Sequence, residues 1–355
     1  MTVRALAALT LAVAALSQLV GSLVASRQAL EARAPDPMRQ GAVQNVRAHL
    51  IARPPLGLDL YRPIPGDNPL SAEKVALGRR LFHDQRLSQS GTISCASCHD
   101  PARAFTNGRP VAAGIGGVLG HRNVPTIVNR VYGTSFFWDG RAASLEEQAA
   151  QPLLDAREMA TTPEAVVAIV RRDASHGAAF QAAFGRPPEW DDVLRALASY
   201  VRTVRSGDSP YDRFVMGDAA ALSTREQRGW HLFFGSANCA SCHRGPNFTD
   251  ERFHNTGVAY RDGELTDPGR FTATSRPADR GAFKTPTLRE IARTAPYMHD
   301  GSLATLDDVV EFYDGGGIPN PGLDRHIRPL DLLSEDRAAL VAFLRALNGS
   351  VREGR

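Results

Sequence analysis

Two stretches of the chain repeat one arrangement of apolar and polar positions. From Leu70-Ser71 a helical pattern runs through Gly78, Leu81 and Phe82, and from Leu222-Ser223 a matching one runs through Gly229, Leu232 and Phe233. In the second copy Ser223 and Glu226 have the capping-box spacing that opens a helix. Each pattern leads into the same pentapeptide, Cys95-Ala96-Ser97-Cys98-His99 and, 144 residues later, Cys239-Ala240-Ser241-Cys242-His243. A period of that length is the size of a domain. Between the copies, Glu164 to Arg172 and Val193 to Val204 carry apolar residues at helical spacing, and Ser334 to Leu347 forms an amphipathic helix. Alternating strand patterns are scarce. The chain therefore reads as mainly α, with two helical domains and long loops. Their ranges are 70–207 and 208–350, divided at the turn-rich Ser206-Gly207-Asp208-Ser209-Pro210.

Ahead of the repeat, Arg4 precedes an uncharged run from Ala5 to Ala25, and small residues at Val24-Ala25-Ser26 lead into polar sequence from Arg27. That layout predicts a secretory signal over 1–26 and a periplasmic protein. At about 20 residues the run over 4–25 is also long enough to stay as a membrane anchor. Membrane contact is expected only if it is not cleaved. Residues 27–69, with Arg53-Pro54-Pro55 and Pro63-Ile64-Pro65, read as an extended lead-in that wraps the body. Composition adds exclusions. With 43% hydrophobic and 22% charged residues the chain is not a disordered one. A net charge of +3 without a basic cluster offers no footprint for nucleic acid.

The two pentapeptides consume all four cysteines, too few for a disulfide scaffold of this size. In Cys-x-x-Cys-His, two thiols one helical turn apart can form thioethers with the two vinyl groups of one haem. The next residue then presents an imidazole to the iron from the same side. Other uses of the cysteines fit less well. A redox Cys-x-x-Cys would follow a strand in a thioredoxin-like pattern, which is missing here. Zinc would need ligands from two pentapeptides 144 residues apart, and disulfides would leave the adjoining histidines unexplained. The sequence thus predicts two covalent c-type haems in two cytochrome c-like helical domains. Cys95, Cys98 and His99 hold the first, and Cys239, Cys242 and His243 hold the second.

Function turns on the sixth position of each iron. Two strong protein ligands make an electron carrier, whereas an open position can bind and activate peroxide. Candidates by type are His49, His83, His121, His176, His231, His254, His299, His326, the five methionines and the tyrosines. Spacing alone does not choose among them.

From about residue 60 to 348 the chain resembles the bacterial dihaem cytochrome c peroxidase family. The resemblance is carried by Leu87-Ser88, Arg122-Asn123-Val124-Pro125-Thr126, Phe137-Trp138-Asp139-Gly140-Arg141 and Leu145-Glu146-Glu147-Gln148 in the first half. Phe283-Lys284-Thr285-Pro286-Thr287-Leu288-Arg289 and Thr294-Ala295-Pro296-Tyr297-Met298-His299-Asp300-Gly301 carry it in the second. The resemblance implies that the N-terminal haem meets peroxide and the C-terminal haem stores or relays an electron. In typical members a His caps the first haem at rest; that position falls on Ile115 here, and His121 is out of register. Typical members also place a Met on the second iron where this chain has Tyr313, as in the MauG-like branch. A hard, anionic phenolate favours ferric and higher iron.

The same resemblance implies Glu158 as acid/base and Gln148 as its polar partner at the open haem, with Pro152 walling the pocket. It implies Trp138 as the aromatic between the haems. It also implies a calcium site made by Asn123 with the carbonyls of Thr294 and Pro296, and a structural or electrostatic role for His299. The expected protein is a peroxide-dependent dihaem oxidoreductase. Its partner is a small electron donor (a cytochrome c or cupredoxin) or a protein substrate. The alternatives are a conventional detoxifying cytochrome c peroxidase and a non-enzymatic dihaem carrier.

Overall fold

The computed structural model describes residues 54–353, Arg62 excepted. The expected leader and most of the lead-in lie outside the described residues. No helix among the described residues is long and apolar enough to cross a membrane.

Nine helices of six or more residues build this region: α1 Ala72–Phe82, α2 Leu145–Leu154, α3 Pro163–Arg172, α4 Ala174–Phe184, α5 Trp190–Val201, α6 Pro210–Val215, α7 Thr224–Phe234, α8 Leu306–Asp314 and α9 Ser334–Arg345. Their starts follow capping chemistry. Ser71 accepts the Lys74 N–H ahead of α1, and Ser223 and Glu226 cap α7 reciprocally. Strand is confined, among the described residues, to three two-stranded ribbons.

Two hydrophobic cores form. One gathers Leu77, Leu81, Phe82, Phe105, Val166, Phe180 and Leu197; the other gathers Phe233, Phe248, Leu288, Leu306, Leu340 and Leu347. The repeat seen in the sequence is a repeat of helix crossings. A Cβ on Gly78 of α1 would lie 1.9 Å from the Ala196 carbonyl oxygen of α5, with Tyr200 Cβ at 2.9 Å. On Gly229 of α7 it would lie 2.0 Å from the Ala339 carbonyl oxygen of α9, with Phe343 Cβ at 2.8 Å. Only glycine permits such an approach.

The turn-rich segment after α5 is a buried crossing rather than an open linker. Arg205–Gly207 pairs antiparallel with Ser350–Arg352, Ser206 opposite Val351. Ser206 donates to Glu290 Oε1 at 2.5 Å, and Asn129 Nδ2 donates to the Ser206 carbonyl at 3.0 Å. Beside it, fully buried Arg289 grips both oxygens of Asp212 (2.6 and 2.9 Å) and donates to the carbonyls of Gly57 and Pro246. The described end of the lead-in docks here too, through Leu56 N–H to Asp208 Oδ1 at 3.0 Å.

Candidate functional site

Both Cys-x-x-Cys-His segments present the same local geometry. Cys95–Cys98 is a single α-turn, and Cys239–Ser241 a 3-10 turn. Each closes with the His N–H donating to the first Cys carbonyl at 2.9 Å. His99 Nδ1 lies 3.1 Å from the Phe105 carbonyl oxygen, and His243 Nδ1 lies 3.0 Å from that of Phe248. A carbonyl only accepts, so Nδ1 carries the proton and Nε2 keeps its lone pair for a metal, the arrangement that orients a ligating imidazole. Burial lowers both imidazoles, keeping them neutral. The four cysteines are unpaired. Burial pushes the Cys95 and Cys239 thiols up to about 12 and Cys98 to about 11. A redox dithiol needs a lowered thiol, so this speaks against that use.

The two seats open into one cavity of about 1160 Å³, lined by the cysteines and histidines of both pentapeptides together with Asn123, Trp138, Gln148, Pro152, Glu158, Thr294, Pro296 and Tyr313. That exceeds the roughly 300–1,000 Å³ of most ligand pockets. The lining, with an imidazole and two thiols at each seat and apolar walls between, fits two thioether-bound macrocycles.

On the first side, α2 brings Gln148 and Pro152 to the cavity, and the turn after it brings Glu158. Neither the Gln148 amide nor the Glu158 carboxyl is bonded by another side chain among the described residues. Burial raises the Glu158 carboxyl, Asp155 adding to the effect and Arg141 and Arg157 opposing it. A carboxyl raised in this way holds a proton more readily than an exposed one, which suits an acid/base role. Arg141 is a residue the sequence reading did not single out for a role. Its guanidinium lies 3.5 Å over the Phe137 ring, and it bonds Gln151 Oε1 at 2.7 Å and Asp139 at 3.1 Å. It stands in the Phe137–Arg141 motif, but no spacing reveals that it lines the cavity. Ile115 does not line it; His121, exposed and without a side-chain partner among the described residues, does.

Trp138 joins the halves. Its indole N–H donates to the Asn123 carbonyl at 2.9 Å, and its own carbonyl accepts the Lys284 N–H at 2.8 Å. Ion pairs surround it: Arg122 to Asp139 (2.6 Å) and Asp267 (2.7 Å), and Glu251 to Arg130 (2.9 Å) and Lys284 (2.5 Å). Asn123 spends its amide N–H bonds on the Arg109 and Pro110 carbonyls. That leaves Oδ1 free. Neither Oδ1 nor the carbonyls of Thr294 and Pro296 accept a hydrogen bond among the described residues. Such an all-oxygen, donor-free set suits a hard cation. His299 stacks on Phe283 with centroids 3.6 Å apart, and burial lowers its imidazole to about 4.

On the second side, Tyr313 of α8 faces the cavity. Burial raises its phenol above the ordinary range, so a phenolate there requires a strong Lewis acid. Cys242, Asp250 and His254 bring possible ligand atoms within 4.8 Å of one another. That cluster draws on a sulfur of the second Cys-x-x-Cys-His segment and so is not a site separate from it.

Comparison with known proteins agrees with this construction. The family model for di-haem cytochrome c peroxidase matches residues 72–220. The chain is 42% identical to the methylamine utilization protein MauG of Methylorubrum extorquens, over 80% of this chain and 81% of that one. It is 39% identical to cytochrome-c peroxidase IdrP1 of Denitromonas iodatirespirans, over 83% and 86%. Among solved structures, a MauG-like protein associated with microbial copper homeostasis superposes with a TM-score of 0.77 at 38% identity, covering 81% of this chain and 93% of that one. Cavity and relatives together define a hydrogen-peroxide-dependent oxidoreductase with two haems. The chain belongs to the dihaem cytochrome c peroxidase and MauG family.

Proposed function

We propose that this is an exported, periplasmic enzyme of two cytochrome c-like domains, 70–207 and 208–350. It reduces hydrogen peroxide at the first haem and draws the electrons from an external protein. The observation that carries this reading is the pairing, in one cavity, of two equivalent histidine seats with unbonded Glu158 and Gln148 side chains on one side and Tyr313 on the other. Thioethers from Cys95 and Cys98, with His99, hold the first haem. Cys239 and Cys242, with His243 and Tyr313, hold the second. When bound, the two irons supply the redox chemistry, taking peroxide to two waters with two electrons and two protons.

The chain's own groups manage the rest. The Glu158 carboxylate takes the proton from the inner peroxide oxygen and returns it to the outer one, while the Gln148 amide orients the leaving oxygen. Pro152 excludes water from that wall. Trp138, fixed by Asn123 and Lys284, bridges the two seats for electron transfer. Asn123 Oδ1 with the Thr294 and Pro296 carbonyls binds calcium and holds the bridge. The electrons come from a cytochrome c or cupredoxin, or from side chains of a protein substrate. The first alternative is conventional peroxide detoxification, supported by the likeness to IdrP1.

Electron paramagnetic resonance of the ferric protein, before and after stoichiometric peroxide, tests the reading. A high-spin signal beside a low-spin one, with both lost on peroxide, is expected. Two low-spin signals, inert to peroxide until one haem is reduced, would return the protein to the conventional branch. Inertness after reduction as well would make it a carrier.

A further inference from the structure

Glu158 sits in a turn tied to its surroundings from both sides. Its N–H donates to the Asp155 carbonyl at 2.9 Å, and its carbonyl accepts the Ile115 N–H at 3.0 Å. Ile115 opens a short 3-10 turn, Ile115–Gly117. Bonds from Gly114 N–H to Val118 O and from Gly120 N–H to Ala112 O, both 2.8 Å, close the surrounding loop. Gly116 to Leu119 are exposed, so the hold on this loop comes from the buried side of the turn.

There the contact is tight. A Cβ on Gly114 would lie 1.7 Å from the Arg157 carbonyl oxygen and 2.8 Å from Glu158 Cα, far inside van der Waals contact. The Gly114 backbone, at φ −87° and ψ −158°, is extended and open to any residue. Glycine is required at this position by space, not by torsion.

We infer that Gly114 and the Ile115 amide form a latch that seats the Glu158 carboxyl in the peroxide pocket, which makes Gly114 a positioning residue for the reaction. The inference rests on the reading of Glu158 as acid/base. A methyl group at 114 forces the 155–158 turn away by about an ångström, and a displacement of that size at a reacting group costs on the order of 10²-fold in rate. The loop that would carry a capping ligand is here bound to the catalytic turn, so the pocket is assembled at rest.

The test compares the haem-loaded parent with Gly114→Ala, Ile115→Pro, Gly120→Ala and Glu158→Gln proteins. Ile115→Pro removes the N–H bonded to Glu158, together with the isoleucine side chain, and proline suits the first position of such a turn. It keeps the question answerable if Gly114→Ala fails to load haem. Gly120, whose added Cβ meets nothing closer than 3.6 Å, is the control in the same loop. Gly114→Ala and Ile115→Pro should slow the peroxide reaction, by about 10²-fold in the first case, and shift the acid limb of its pH profile. Amide hydrogen exchange should speed up in segment 155–160 as well as in 112–120, with haem content unchanged. Gly120→Ala should match the parent. Parent rates in Gly114→Ala, or unchanged exchange over 155–160, would overturn the latch. A Glu158→Gln protein as fast as the parent would instead remove the acid/base reading beneath it, whereas a slow Glu158→Gln beside a fast Gly114→Ala would remove the latch alone.

Discussion

Glu158 shows what a single side chain costs and what it supplies. Its carboxyl is raised by burial, so the folded chain binds that proton more tightly than the unfolded one does, and ionising it as pH rises works against the fold. Replacement by Gln keeps the shape and removes the charge. Glu158→Gln should slow the peroxide reaction about 10²–10⁴-fold while the melting temperature at pH 8 stays level or rises. A fall in both would make Glu158 a structural residue. The two matching Cys-x-x-Cys-His turns were legible in the sequence because two thiols and an imidazole at that spacing have few uses. Glu158 and Gln148 were not, since isolated polar residues on a helical stretch read as a solvated face. Only their register within the family motifs pointed to them, and Arg141 went unassigned because no spacing marks a guanidinium laid on Phe137.

Among elements, the paired crossings of α1 with α5 and of α7 with α9 govern the two cores. The helices themselves were legible from Ser71, from the Ser223–Glu226 cap and from apolar spacing. Their partners were not, because nothing local to Gly78 or Gly229 names the carbonyl against which each packs. Gly229→Ala should destabilise the second core by about 1–3 kcal/mol through overpacking, lowering the thermal midpoint without touching a catalytic group. An unchanged midpoint would mean that α7 and α9 separate freely. The segment 206–210, read as a turn-rich division, proved buried because Ser206, Ser209 and Asp208 bond across it to distant parts of the chain. Long-range partners of that kind leave no periodic trace.

At the scale of the molecule, charge joins the two halves around Trp138. Although burial acts against them, bonds and attraction from Arg122 hold Asp267 below the carboxylate range, and those of Arg130 and Lys284 do the same for Glu251. Depressed carboxylates lend stability above the unfolded pKa of about 4, and lose it as pH falls through the lower folded value. Calorimetry should therefore show one transition at pH 7 and two near pH 3.5; a single transition at both would mean that these pairs do not join the halves. The ribbon of Arg205–Gly207 with Ser350–Arg352 has a consequence for dividing the chain. Tyr200, buried in the first core, donates its hydroxyl to Glu353, 153 residues downstream. A first half cut off after residue 207 would keep its helices but lose both the strand paired with Arg205–Gly207 and the acceptor of that hydroxyl. The two halves repeat one another in sequence, yet the first cannot be excised intact.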